Sequence, residues 1–186
     1  MAKETNMKLT DLLPLDAWVE LEREITRQSG LSGNIFDVAG VRITDYRNRA
    51  NRLCPEIKAN DKGQSFICAV AHQNLAAQAK QTRRPIVEEC DAGIAKVVVP
   101  IWVDDEFLGA ACGCGSLLEG GEVDTFLVNK ITGIDEEEIE RLSHDIGTLS
   151  AEEANALVNY LEIEIEKIVQ DYRRNRKSGA IPIEDV

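Results

Sequence analysis

Nothing in the chain approaches the run of about eighteen apolar residues that a membrane span requires, and the amino-terminal MAKETNMKLTDLL carries no apolar stretch behind its lysines. Neither a spanning helix nor a secretory leader is expected, so the sequence reads as cytoplasmic, with no membrane partner. Positive charge is also scarce: 21 Lys and Arg stand against 33 Asp and Glu, a net charge of −12. Nucleic-acid binding rests on a clustered basic surface, and this balance argues against such a partner. Catalytic signatures are missing too. The chain has no G-x-S-x-G elbow, no Gly-rich phosphate loop ahead of Lys-Ser/Thr and no H-E-x-x-H, so no enzyme is expected. It has no internal repeat, no low-complexity tract and no C-x-x-C pair. A zinc ribbon has no support from spacing.

What the chain does have is 186 residues, 44% of them hydrophobic, enough for one domain with a real core. Apolar residues at Leu12, Leu13, Trp18, Leu21 and Ile25 predict a helix over Thr10–Ser29 ending at Gly30. LSGNIFDVAGVRITDY predicts two short strands joined at Ala39-Gly40. A turn at residues 60–63 precedes a helix over 65–82 with its cap near Ser65, and three strands follow: Pro85 to Glu89, Ile94 to Val103, and Phe107 to Gly115. The fold expected is α+β, an antiparallel sheet of about five strands with flanking helices. Two short helices follow Gly120-Gly121. Then Ser150 and Glu153 form an S-x-x-E capping box ahead of a helix over 151–175 with the stripe Leu157, Leu161, Ile165, Ile168 and Tyr172. That stripe suits either packing on the chain's own sheet or a dimerisation and signalling surface. Residues 1–175 read as one domain and 176–186 as a flexible tail.

Five cysteines are present: Cys54, Cys68, Cys90, Cys112 and Cys114. In a reducing compartment they read as thiols, metal ligands or redox groups. In a strand, residues two apart share a face, so Cys112 and Cys114 project together, with Gly113 on the other side. Cys90 ends its strand before an Asp91-Ala92-Gly93 turn. Pro55 is expected to hold Cys54 extended, and Cys68 is placed in the first turn of the 65–82 helix, where the helix dipole favours thiolate. His72, four residues on, shares that side as a core hydrogen-bonder or a ligand, and His144 reads as surface. From the residues alone the thiols read first as small buried apolar groups and, alternatively, some of them as binding a metal, a cluster or another soft ligand. A Cys90–His72 nucleophile pair lacks an orienting third group.

Two stretches, LTDLLPLDAWVELEREITRQSGLSGNIFDVAG and RLCPEIKANDKGQSFICAVAHQNLAAQAKQTRRPIVEECDAGIAKVVVPIWVDDEFLGAACGCGSLL, together with the polar C-terminal helices, resemble the PocR sensory domain over about residues 9–175. That family is similar to PAS and GAF modules. The resemblance implies a PAS-like sheet in a signal-transduction protein that senses a small hydrocarbon derivative or related metabolite. It sets Cys54, Cys68 and Cys90 at the family's three cysteine positions. Two departures stand out: Cys90-Asp91-Ala92-Gly93 in place of Cys-His-Ala-Gly, and GAACGCGS in place of a strand ending Gly-Gln. The resemblance therefore implies a pocket between the sheet and the 65–82 helix lined by Cys54, Cys68, Cys90, Cys112 and Cys114. Four thiols, Cys54, Cys68, Cys90 and Cys114, would be available to hold an iron–sulfur cluster or zinc. The rival readings are a redox or metal-handling protein without organic ligand and a thiol-dependent enzyme. Signalling is expected through the 151–175 helix, to a second copy of the chain or to a separate signalling protein, unless the sequence is a fragment of a longer one.

Overall fold

The computed structural model describes residues 7–178; the expected tail lies, from residue 179 on, outside the described residues. The first helical stretch is broken in two, α1 (Leu9–Leu12) and α2 (Leu15–Ser29). Pro14 causes the break: the residue before a proline is pushed out of the helical region, and Leu13 is extended. Trp18, fully buried, stitches the two pieces by donating its indole N–H to the Leu9 carbonyl at 3.0 Å. Gly30, at φ +72°, closes α2 in the left-handed conformation that glycine adopts without strain.

Four antiparallel strands form the main sheet: β1 (Ser32–Asp37), β2 (Ile86–Glu89), β3 (Ala95–Val103) and β4 (Glu106–Cys114), in the order β1-β4-β3-β2. The hairpin expected after α2 does not develop. Strand pairing of the segment just after Gly40 with β1 is limited to the Phe36–Arg42 bridge, and the long partner of β1 is β4. The reason is polar. Asp37 Oδ1 accepts from the backbone N–H groups of Ala39 and Val41, tightening the turn, and Arg42 and Thr44 are then drawn to Glu22 on α2. Two short strands, β5 (Leu117–Leu118) and β6 (Thr148–Leu149), pair in parallel and complete six strands in all among the described residues.

The helices are α3 (Leu53–Ala59), α4 (Asp61–Gly63), a π-helical stretch (Gln64–Ala69), α5 (Val70–Thr82), α6 (Thr125–Thr132), α7 (Glu136–Ser143) and α8 (Ala151–Lys177). None of the described helices is long and apolar enough to cross a membrane. The 65–82 helix thus begins earlier than expected. Asn60, read as part of a turn, is the true cap, its side chain accepting from Gly63 N–H at 3.0 Å, and the chain runs helically from there to Thr82. The capping box at Ser150 and Glu153 forms as expected.

The sheet separates two unlike interiors. On one face Ile35, Val97, Val99, Ile101 and Ala111 pack against α2 and α8, which contributes Ala154, Leu157, Leu161, Ile165 and Val169. The α8 stripe is therefore spent on the chain's own sheet. Each such aliphatic side chain contributes about 1.5–3 kcal/mol by burial. Two glycines on this side let neighbouring elements approach closely. A Cβ at Gly33 would run into the Glu22 carbonyl, and one at Gly113 would stand 3.1 Å from both Leu157 and Leu31. The other face carries Phe36, Val98, Ala110 and Cys112 beneath Leu75 and Ala79 of α5. A third cluster, built from Leu53, Ile57, Ile67, Cys68, Ile94, Val128 and Ile139, closes the end of that layer.

Candidate functional site

Where the α5 face of the sheet meets the third cluster, the apolar pattern fails. The register of β4 against its neighbours makes two polar rows: Asn34, Cys112 and Val98, then Ser32, Cys114 and Lys96. Because strand side chains alternate, these rows share the face under the π-helical stretch and α5, and Cys112 and Cys114 do project to one side. Asn34 Nδ2 lies 3.7 Å from Cys114 Sγ and donates to the Ser32 carbonyl at 2.7 Å.

The remaining thiols arrive from three directions. Cys54 sits in the first turn of α3, not in extended chain; a proline in that turn gives up an N–H that has no helical acceptor, so Pro55 fits. Asn51 orients this turn: its Oδ1 accepts from Cys54 N–H at 2.7 Å, and its Nδ2 donates to the Gly115 carbonyl at 2.6 Å while standing 3.3 Å from Cys54 Sγ. Cys90 follows β2 and is turned back by Gly93, at φ +76°, whose N–H donates to the Cys90 carbonyl at 2.8 Å. Cys68 lies in the π-helical stretch, well inside a continuous helix, so the dipole argument for an ionised thiol at a helix start does not apply.

All five cysteines are free thiols. Burial pushes Cys54 and Cys112 up to about 12 from an ordinary 9.0, and raises Cys68 as well, overriding the pull of Lys96 and Lys58 on Cys68. Cys54, Cys68 and Cys112 are thiols rather than thiolates at neutral pH. Cys54 is within electrostatic reach of Cys114 and Cys90, and Cys68 of Cys90 and Cys114, whereas Cys112 is coupled to Lys96 and Cys114. Cys114 is thus common to Cys54, Cys68 and Cys112, the last one row further up the strand. Among the described residues, no three His, Cys, Asp or Glu side chains are arranged so as to hold a metal ion.

Sequence reasoning missed the residue at the centre. Lys96 is 4% exposed, and its Nζ lies 3.1 Å from His72 Nε2. No carboxylate among the described residues forms an ion pair with it. Burial acts against its charge, and Cys114, Cys90, Cys68 and Cys112, so far as they ionise, act to keep it, leaving the ammonium raised. His72 is pushed well below its ordinary 6.5, first by burial and then by Lys96, Lys58 and Arg42, so its ring is neutral. With Lys96 donating to Nε2, the ring proton belongs on Nδ1, which is buried without a partner. The ring also lies against Phe36, centroids 4.1 Å apart. The sequence did hold one signal for Lys96: it interrupts AKVVVPIWV, a run apolar on both strand faces. His144, read as surface, is exposed at the end of α7.

An open cleft of about 460 Å³ lies on the outside of this region, lined by Arg49, Asn51, Arg52, Pro55, Arg141 and Asp145 among others. Asn51 touches both this cleft and the Cys54 thiol.

Comparison with known proteins bears on this interior. No curated protein and no solved structure matches the chain. A family model does, that of the sensory domain found in PocR, over residues 11–172. The match takes in every strand and every cysteine described above, and the chain belongs to the PocR sensory-domain family.

Proposed function

We propose that the chain is the sensing unit of a signalling system, admitting a small metabolite between the α5 face of the sheet and the helix over Gln64–Thr82, and reporting through α8. One observation carries this reading. The sheet residues facing α2 and α8 are all but sealed, with Ile35, Val97 and Ala111 at 0% exposure, whereas Lys96, Cys112, Cys114 and His72 keep 3–8%. A polar interior that is less tightly closed than the opposite core is the natural seat for a ligand. The raised thiols oppose a nucleophilic role and favour binding over catalysis. A thermal-shift screen of short-chain alcohols, diols and carboxylic acids tests the reading. At least one compound should raise the melting temperature of the natural protein, and Cys114→Leu, which fills the seat, should cancel the rise.

Output through α8 rests on its direct packing against the sheet and on Ile163, 56% exposed on its outer side. A second copy of the chain or a separate signalling protein would dock there; sedimentation with Ile163→Asp tests this.

A second reading, an iron–sulfur cluster or zinc held by Cys54, Cys68, Cys90 and Cys114, is favoured by the electrostatic reach of both Cys54 and Cys68 to Cys90 and Cys114. It requires them to close further than they stand. Iron and zinc analysis of protein purified without oxygen, natural against Cys114→Ser, decides it.

A further inference from the structure

The polar interior is built around a positive charge in a chain of net charge −12. Lys96 has three N–H donors, and among the described residues its hydrogen-bond partner is a neutral imidazole, which satisfies one of them. Fully charged side chains acting on His72 beside it are Lys96, Lys58 and Arg42, all cations. The buried carboxylate of Glu22 is already paired with Arg42 at 3.2 Å, so it offers Lys96 no compensation. A buried ammonium without an anion is costly, and mutation to an apolar residue would remove the cost. The thiols Cys68, Cys112 and Cys114 act on Lys96, Phe36 lies against the imidazole, and the polar side chains of the same strand rows are already engaged, Asn34 on the Ser32 carbonyl and Ser32 on the Asn48 carbonyl.

We infer that Lys96, held in place by His72, is the anchor for the carboxylate of a small monoanionic organic acid, whose short apolar portion lies against Cys112, Cys114 and Cys68. This rests on the ligand-sensing reading and narrows it from small metabolites in general to one charge class. One ammonium balances one negative charge, which disfavours dicarboxylates and phosphate. Two carboxylate oxygens can take the two N–H groups that His72 leaves free. An inorganic anion would leave its remaining oxygens facing thiols and rings, where no strong donor compensates their lost hydration.

The test compares ligands of matched shape and different charge. Acetate, propionate and lactate are titrated against acetamide, propionamide and propane-1,2-diol at pH 7, with the melting temperature of the full chain as readout. At tenfold above half-saturation, a carboxylate that binds should raise it by roughly 3 °C, and the matched amide or diol should not. In Lys96→Met the carboxylate response should vanish. A diol or amide that stabilises the natural protein as well as its carboxylate overturns the anion inference and leaves the sensing reading intact. Stabilisation by a carboxylate that persists in Lys96→Met also overturns it. Silence from every compound removes the anion inference and the ligand seat together. The matched pairs are read on the natural protein, so the conclusion survives if Lys96→Met fails to fold.

Discussion

Among the described residues two charged side chains are buried, one on each side of the sheet, and they are treated in opposite ways. Glu22 on α2 is fully enclosed and fully answered: its carboxylate accepts from the Ile35 backbone N–H at 2.9 Å and from Thr44 Oγ1 at 2.7 Å, and it pairs with Arg42 at 3.2 Å. Lys96 on β3 has a neutral ring and a set of thiols. A buried charge with every lone pair engaged is a structural tie, fixing α2 to β1 and to the loop behind it. A buried charge whose donors are left over is an incomplete site. The two differ in what removal should do, and that difference is measurable.

The largest effect is expected at the completed charge. Glu22→Ala leaves Arg42, Thr44 Oγ1 and the Ile35 N–H without their acceptor, and should cost about 3–5 kcal/mol in urea unfolding. Next comes the thiol group as a whole. Cys54 and Cys112 keep their protons to about 12 in the folded chain but lose them from an ordinary 9.0 when unfolded. The folded state then holds more protons, so stability is intact below pH 9 and falls as pH rises above it, by up to about 1.4 kcal/mol per pH unit for each thiol. Cys112→Ala should flatten that decline. Third, and of opposite sign to Glu22→Ala, Lys96→Met should leave the ligand-free protein unchanged or more stable by about 1–2 kcal/mol, because it removes an uncompensated charge and keeps the volume. A loss comparable to that of Glu22→Ala would erase the contrast between the two sites. The smallest effect belongs to His72. Its folded form resists protonation while the unfolded form takes a proton below about 6.5, so acid favours unfolding. His72→Asn should reduce the slope of stability between pH 6.5 and 5 by at most about 1.4 kcal/mol per unit.

Much of the architecture was legible because it is encoded locally. The Ser150–Glu153 box, Gly30 after α2, the β-branched run of β3 and the acidic turn at Asp104-Asp105 each act within a few residues. The shared face of Cys112 and Cys114 followed from the two-residue period alone. What escaped was set by distant partners. The second strand of the hairpin was lost to Glu22, and the helix start moved to Asn60, whose side chain also donates to the Thr132 carbonyl at 2.8 Å. Pro55 pointed to extended chain by the rule for the residue before it, yet Asn51 drew Cys54 into a helical turn. Lys96 was the most consequential omission. A lysine between Ala95 and Val97 reads as an outward-facing position until the sheet order places a helix over that face.

The missing side chain at Gly113 makes β4 unusually thin. Cys112 and Cys114 flank it in sequence and point toward the α5 face; on its other side Leu157 of α8 stands almost against the peptide backbone. Close-packed interiors transmit displacement rather than absorb it. On the proposed reading, a guest that pushed the thiol pair by a fraction of an ångström would move the very atoms on which α8 rests, and the width of one polypeptide backbone would be all that separates stimulus from output.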